Sequence, residues 1–161
     1  MDSEYSIKLD VGKLLYYSEV LKPRISNETL LMLIRSFSVY VRDLYKVMIA
    51  ESIYSNRYKG DWEPIKDEGY LEFLGTTPSE HIIDLIYDAL EIREIKNNIV
   101  IRFEPEYKYP GSKLTLVRVL KAIDNGTSKF NARPILKDAV SHLNRNIFGL
   151  WRVYLRQKGV T

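Results

Sequence analysis

The chain of 161 residues contains no cysteine. This absence excludes disulfide bonds, thiolate nucleophiles and cysteine-based zinc or iron–sulfur sites, so the fold must be stabilised by its core. Histidine is nearly as scarce, since only His81 and His142 are present and they lie far apart on different predicted helices. Nucleophile-elbow and glycine-rich phosphate-binding patterns are also missing. We therefore expect a protein that is not an enzyme, with no catalytic residue, cofactor or metal.

Long uninterrupted apolar runs are absent as well. The most apolar region, residues 30–50, carries charges at Arg35, Arg42, Asp43 and Lys46, which makes it too polar to span a bilayer. The first ten residues have neither a basic nor an apolar segment, so no signal peptide is expected. These features predict a soluble protein that is made in a reducing compartment and has no membrane partner.

The composition is that of a globular protein. Hydrophobic residues make up 45%, charged residues 28% and aromatic residues 12% of the chain, and the length fits a single domain over 1–161. Tyrosine is abundant, with 12 copies. Tyrosine suits positions that are packed at one end and wet at the other, so both a tyrosine-rich fold and a tyrosine-rich interface remain open.

The charge is distributed unevenly along the chain. The segment 129–158 has seven basic residues against one acidic residue, Asp138, for a net +6, which leaves −3 elsewhere because the whole chain carries +3. The basic residues are Lys129, Arg133, Lys137, Arg145, Arg152, Arg156 and Lys158. Such a segment can be a solvated helix face, a surface for an acidic protein or a nucleic-acid contact. A nucleic-acid contact would be salt-sensitive and limited to phosphates, because no recognition module is present.

The first third of the chain predicts a strand and two helices. Residues 5–11 alternate apolar and polar side chains, which is typical of a half-buried strand. Residues 12–22 are compatible with a short helix that ends before Pro23. A long helix then begins at Ser26 or Asn27, either of which can cap it, and continues to about residue 54.

This long helix is apolar on two sides. One continuous stripe consists of Leu30, Ile34, Phe37, Val41, Leu44 and Met48. The second side consists of Met32, Leu33, Val39, Tyr40 and Val47. A helix with two apolar sides needs two partners, and we expect a sheet on one side and a neighbouring subunit on the other.

The middle of the chain predicts another helix and a hairpin. Residues 76–92 resemble a capped helix. Residues 93–104 predict a β-hairpin, with the turn at Asn97-Asn98 and apolar alternation on the return strand.

The last third predicts two more helices. Residues 114–126 favour a short helix ended by Gly126, with a strand as the alternative. The triplet Asp124-Asn125-Gly126 indicates turn chemistry. Pro134 is placed at the first position of a long helix over 135–158. The predicted order indicates an α+β fold, in which a small antiparallel sheet packs against one long helix and further helices include a long C-terminal one.

Two short motifs lie between these elements in a recognisable order. "DWEPI" places Trp62 and Pro64 in the loop after the long helix, and "AIDNGTSKFNARPILKDAV" spans 122–140. The second motif brings Asp124 and a Gly-Thr pair ahead of Arg133-Pro134, where the C-terminal helix begins. The order of these landmarks resembles the tail-completion or "neck" proteins of long-tailed bacteriophages, which are related to lambda protein Z and Mu protein G.

The resemblance covers residues 26–145. It divides the single domain into an N-terminal strand and short helix (1–25), a family-like core (26–145) and a C-terminal helix extension (146–161). It implies a structural virion protein without cofactor, made in the host cytoplasm and located in the neck of the tail. Such proteins form a ring, typically of six subunits, at the head-proximal end of the tail. The implied partners are the protein itself, the tail tube or terminator protein and the head connector, while DNA passes through the lumen without sequence-specific binding.

Three alternative functions remain open at this point, one of which is an uncharacterised enzyme; substitution of His81 and His142 without functional loss would count against it. A tail terminator, which caps the tail tube and stops its growth, is similar in size and is also an α+β ring protein. A basic nucleic-acid-binding accessory protein is the alternative of another class.

A ring requires a heterologous contact, in which one surface meets a different surface of the neighbouring subunit. We expect the basic segment to contact protein, because a channel for DNA ejection should not bind its cargo tightly. The candidate ring and partner contacts are Arg133, Lys137, Arg145, Arg152, Arg156, Tyr40, Tyr45 and Trp62.

Overall fold

Three strands and four helices make up the part of the chain that the structure describes. This computed structural model describes residues 5–21, 25–54, 85, 88–108, 115–126 and 134–160. The order is β1 (Ile7–Asp10), α1 (Val11–Leu21), α2 (Asn27–Tyr54), β2 (Leu90–Ile95), β3 (Asn98–Phe103), α3 (Leu116–Asn125) and α4 (Ile135–Gln157). The predicted α+β class, with a long helix and a long C-terminal helix, is confirmed. Within the described ranges, no helix combines the length and apolarity needed to cross a membrane.

The sheet is antiparallel, and β3 lies between β1 and β2. Ile101 of β3 pairs with Ile7 on one side and with Ile92 on the other. Because side chains alternate between the two faces of a strand, this register collects the apolar residues on one face. The buried members of that face are Ile7, Leu9, Leu90, Ile99, Ile101 and Phe103.

The hairpin differs from its prediction in the position of its turn and in the start of its first strand. Its turn is formed by Lys96 and Asn97, one residue earlier than predicted, because Asn98 pairs with Asp10 and Ile95 as the first residue of β3. Lys96 has a φ of 55°, in the left-handed region that such turns require. The assignment of residues 90–92 to a helix was wrong, since they form the start of β2. Cross-strand pairing with β3 overrides the local helical pattern there.

Helix α2 has the bounds that its sequence predicts. Ser26 is its N-cap, since its hydroxyl oxygen accepts a hydrogen bond from the backbone N–H of Thr29 at 3.2 Å. The helix contains 28 residues, which gives a length of about 42 Å. Five members of the predicted stripe are buried, and Leu44 is partly buried against the same core.

Helix α4 closes the core against α1 and α2. The ring centroids of Phe37 and Trp151 lie 5.0 Å apart, and those of Phe37 and Tyr154 lie 5.4 Å apart. In the contact with α1, the indole Nε1–H of Trp151 donates to Ser18 Oγ at 2.8 Å. The Ser18 hydroxyl in turn donates to the carbonyl oxygen of Leu14 at 2.7 Å. The helix ends at Gln157, one residue before its predicted end.

The outer edge of β1 is covered by a side chain of α4. The amide of Asn144 accepts from the backbone N–H of Lys8 and donates to the carbonyl oxygen of Ser6, each at 3.3 Å. An edge strand has unpaired backbone groups that favour association with other chains. Asn144 satisfies two of these groups and ties α4 to the sheet.

Candidate assembly surface

The junction between α3 and α4 sets the position of the basic helix. The helical prediction for residues 114–126 is confirmed, and Gly126 follows α3 at a φ of 76°. Pro134 is the N-cap of α4, one position before the predicted one, and it provides no side-chain hydrogen bond. The buried carboxylate of Asp124 accepts the backbone N–H groups of Leu136 at 2.6 Å and Lys137 at 3.2 Å. Asp124 therefore caps α4 from the last turn of α3, a role beyond the predicted turn chemistry.

Burial changes the pKa of the Asp124 carboxyl group. Loss of solvation raises the pKa of its carboxyl group to about 6, against the opposing effects of the two backbone N–H groups and the charge of Lys137. The Lys137 ammonium also donates to Asn125 Oδ1 at 2.6 Å. The first turn of α4 is thus held to α3 by both a buried and an exposed hydrogen bond.

Four of the predicted contact residues lie together on one face of α4. Lys137, Arg145, Arg152 and Arg156 are all exposed, and we call them the basic stripe. Their spacings of eight, seven and four residues place them within an arc of roughly 100° on a regular helix, over a length of about 28 Å. Trp151 and Tyr154 point from α4 toward α2, so the stripe occupies the outer side of the helix.

Aromatic side chains interrupt this stripe at its centre. The Arg152 guanidinium donates from Nε to the hydroxyl of Tyr17 at 2.6 Å and lies 5.5 Å from the centre of the Tyr17 ring. Phe148 is 42% exposed, and its ring centroid lies 6.0 Å from that of Tyr17. Arginine and half-exposed aromatic rings are the residue types that dominate binding energy at protein interfaces. Helices α1 and α4 together build this part of the surface.

The three arginines of the stripe have no carboxylate within ion-pair distance among the described residues, whereas the charge of Lys137 acts on Asp124. Elsewhere in that part, Arg35, Arg42, Arg93 and Arg102 each lie within 4 Å of a carboxylate. No carboxylate of the described residues forms such a pair with a member of the stripe. Arg145 donates instead to the Ser141 hydroxyl at 2.9 Å. From residue 139 to the C-terminal residue of the sequence there is no aspartate or glutamate.

The remaining predicted contacts have different outcomes. The prediction for Tyr45 was wrong, because its side chain is fully buried and its hydroxyl donates to the backbone oxygen of Tyr5 at 3.0 Å. Burial also raises the pKa of Tyr45 well above its usual value, with Asp124 and Tyr5 contributing. Tyr40 is partly buried between α2 and α4, with its ring centroid 5.6 Å from that of Tyr154. Trp62 and Arg133 lie outside the described residues.

The second apolar side of α2 is a separate surface. Met32 is 66% exposed, Val39 41% and Val47 44%, whereas Leu33 and Tyr40 pack partly against the core. Exposed Ser36 and Asp43 lie on the same face between these three apolar side chains. Neither α1 nor α4, which carry the basic stripe and its aromatic centre, contributes to this surface.

Sequence reasoning missed Tyr17 and Phe148 at the aromatic centre. Phe148 follows Arg145 by three residues and precedes Arg152 by four, so helical periodicity alone could have placed it on the stripe. Tyr17 carried no comparable signal, because it lies 135 residues from Arg152 in sequence.

Comparisons with known proteins return no relative. No protein-family model matches the chain, and no curated protein or solved structure matches it. Among the described residues, no group of three or more histidine, aspartate or glutamate side chains could hold a metal ion.

Proposed function

We propose that this protein is a structural subunit of a tailed-bacteriophage virion and forms a ring at the head-proximal end of the tail. The observation that carries the proposal is the presence of two exposed surfaces of different chemistry on one small chain. One is the apolar side of α2, and the other is the basic stripe of α4 with its aromatic centre. The order of sequence motifs from residue 26 onward, which resembles phage neck proteins, supports the same function.

A closed ring needs this kind of subunit. Each copy contributes one surface to the neighbour on its left and a different surface to the neighbour on its right. A two-fold dimer would need only one self-complementary surface. Since the apolar side of α2 and the basic stripe are chemically unlike, a heterologous contact or contacts with two different virion proteins explain them better than a two-fold dimer does.

The cavities of the described part favour assembly over small-molecule chemistry. Two cavities have volumes of about 150 and 170 Å³, whereas small-molecule sites usually measure at least roughly 300 Å³. The larger one lies between α2 and the hairpin turn, and the Arg35–Glu94 ion pair of 2.8 Å borders it.

Nucleic-acid binding is a second candidate function, because the three arginines of the basic stripe have no carboxylate partner in the described residues. It predicts measurable DNA affinity that falls steeply with salt, with a slope set by the number of phosphates contacted. A titration of the purified protein with duplex DNA at low and at moderate salt tests it. Absence of binding at low salt would remove this candidate.

The decisive test of the proposed function is deletion of the gene in its parent phage, followed by electron microscopy of the lysate. Tails of normal length beside unattached, DNA-filled heads are expected for a tail-completion ring. Tails of uncontrolled length would instead identify a tail terminator. Normal infectious particles would contradict any assembly function. Complementation with the wild-type gene in trans is the matched control.

A further inference from the structure

A cluster of acidic side chains lies on elements that contribute nothing to the basic stripe. Its members come from α2, from the residues before β2 and from the segment after β3. They are the exposed residues Asp43, Asp88, Glu104 and Glu106, which we call the acidic cluster.

Several interactions connect three of these side chains, Asp43, Asp88 and Glu104. The Tyr107 hydroxyl donates to Asp88 Oδ2 at 3.4 Å, and the charges of Asp88 and Glu104 add to the effect of burial in raising the pKa of Tyr107. Asp43 and Asp88 both interact with the charge of Lys46, whose pKa is lowered by burial and by Arg42. Asp43, Asp88 and Glu104 thus lie around Tyr107 and the almost fully buried Lys46, and Asp43 also pairs with Arg42 at 3.6 Å.

We propose that the basic stripe of one copy of this protein, with Tyr17 and Phe148 at its centre, docks on the acidic cluster of a second copy. The proposal rests on the proposed ring function and names the contact that joins neighbouring subunits. Each copy has both surfaces on different elements, so the contact can repeat from copy to copy, as a heterologous ring requires.

Charge complementarity identifies the occupant as a second copy. The three arginines of the stripe have no carboxylate within ion-pair distance among the described residues, and the acidic cluster has four exposed carboxylates, of which Asp43 pairs with Arg42. Complementary potentials at an interface accelerate encounter and select the register in which two surfaces meet. A contact between copies would give the stripe the carboxylates that its own chain does not place beside it.

The aromatic centre favours a protein over nucleic acid as the occupant. The exposed ring of Phe148 would gain little from contact with phosphates, which bind charge and hydrogen-bond donors. A protein interface, by contrast, combines a desolvated aromatic centre with arginine side chains around it. Phe148 lies between Arg145 and Arg152 on the same face of α4, which is that arrangement.

The test uses two charge-reversed variants of the full chain. One variant removes the net charge of the stripe by Arg145→Glu and Arg156→Glu, which leaves the Arg152–Tyr17 contact intact. The other removes the net charge of the cluster by Asp88→Lys and Glu104→Lys. The matched control, Lys8→Glu with Lys96→Glu, makes the same change in net charge as the stripe variant at exposed positions outside both surfaces.

Sedimentation velocity at low salt measures self-association of each protein over a concentration series. The wild-type and control proteins should self-associate, and each charge-reversed variant alone should associate at least about tenfold more weakly. An equimolar mixture of the two variants should recover association as mixed dimers, because the unaltered stripe of the cluster variant meets the unaltered cluster of the stripe variant. Should the stripe reversal unfold the chain, as circular dichroism would show, Arg145→Gln with Arg156→Gln provides the milder loss of charge.

Three results would overturn the proposed contact. They are a wild-type protein that stays monomeric at its highest soluble concentration, variants that associate as wild type, and a mixture that fails to recover association. A monomer that binds duplex DNA through the stripe would assign the surface to nucleic acid instead. Failure of this contact is distinguishable from failure of the ring function, because the phage deletion reports on head–tail joining regardless of which residues join the subunits.

Discussion

The carboxylate of Asp124 accepts a hydrogen bond from the backbone N–H of Leu136 at 2.6 Å, across 12 residues of sequence. The same carboxylate accepts the N–H of Lys137, while the N-cap residue Pro134 provides no side-chain oxygen. One buried side chain of α3 therefore satisfies two N–H groups at the start of α4. Because α4 carries the basic stripe, this bond also determines where the stripe begins.

Removal of this cap should destabilise the fold. We expect Asp124→Ala to lower the free energy of unfolding at neutral pH by about 1–2 kcal/mol, since the N–H groups of the first turn lose their acceptor. Urea denaturation followed by circular dichroism measures the change. Asn125→Ala is the matched control: it removes only the exposed bond to Lys137 Nζ and should cost less than about 0.5 kcal/mol. Equal effects of the two substitutions would show that Asp124 does not act as a cap.

The pKa of Asp124 makes stability depend on pH in a defined direction. Burial raises the pKa of the carboxyl group from 3.8 to about 6, so the folded state binds this proton more tightly than the unfolded state does. The resulting stabilisation is fully present below about pH 4 and is lost as the pH rises through about 6. Lys137, Asp138 and Tyr45 are the charged or titratable groups that interact with it.

Asp124→Asn isolates this effect, because asparagine does not titrate. The free energy of unfolding of the wild type minus that of the variant should fall by up to about 3 kcal/mol between about pH 4 and pH 7. Urea denaturation of both proteins at matched pH values gives this difference and cancels the other titrating groups. A difference that stays constant or increases with pH would contradict the assignment.

Local patterns predicted those elements whose signals are contained within one segment. Ser26 and the apolar stripe gave both ends of α2, and Pro134 marked the start of α4 to within one residue. The alternation of Ile99, Ile101 and Phe103 predicted β3 and its buried face. These predictions depend on hydrophobic periodicity or on a helix-capping residue. Both can be recognised within one segment, without knowledge of the elements that pack against it.

The errors and omissions concern contacts between distant segments. Residues 90–92 have a local sequence pattern typical of a helix, but they pair with β3 and form a strand. The aromatic centre joins Tyr17 to Phe148, and Asn144 covers the edge of β1, but no local period encodes such pairs. Tyr45 was the avoidable error, because it follows the stripe residue Val41 by four positions and so extends the buried face.

A buried hydrogen bond between α1 and α4 provides a further prediction. Ser18→Ala should lower the free energy of unfolding by about 1–3 kcal/mol, because the indole N–H of buried Trp151 loses its acceptor. Thermal unfolding followed by circular dichroism detects the change as a lower Tm. Ser36→Ala, at an exposed position of α2, is the control and should leave the Tm nearly unchanged. An unchanged Tm for Ser18→Ala would mean that the indole finds another partner.

Substitutions at an exposed and at a buried valine of α2 should distinguish an effect on assembly from an effect on stability. Val39 is 41% exposed and Val41 is fully buried on the same helix. Val39→Lys should therefore change the free energy of unfolding by no more than about 0.5 kcal/mol, whereas Val41→Ala should lower it by about 2 kcal/mol through lost burial and a residual cavity. Urea denaturation provides both values.

In the complementation assay of the deleted phage, the same two substitutions should have the opposite ranking. Val39→Lys places a charge on the apolar side of α2, which the proposed function buries against another virion subunit, so it should block recovery of joined heads and tails while the isolated protein stays folded. Val41→Ala leaves that surface unchanged, and a folded fraction sufficient for assembly should restore infectious particles. If Val39→Lys complements as well as the wild type, the apolar side of α2 is not buried in the virion, and its exposure has no role in assembly.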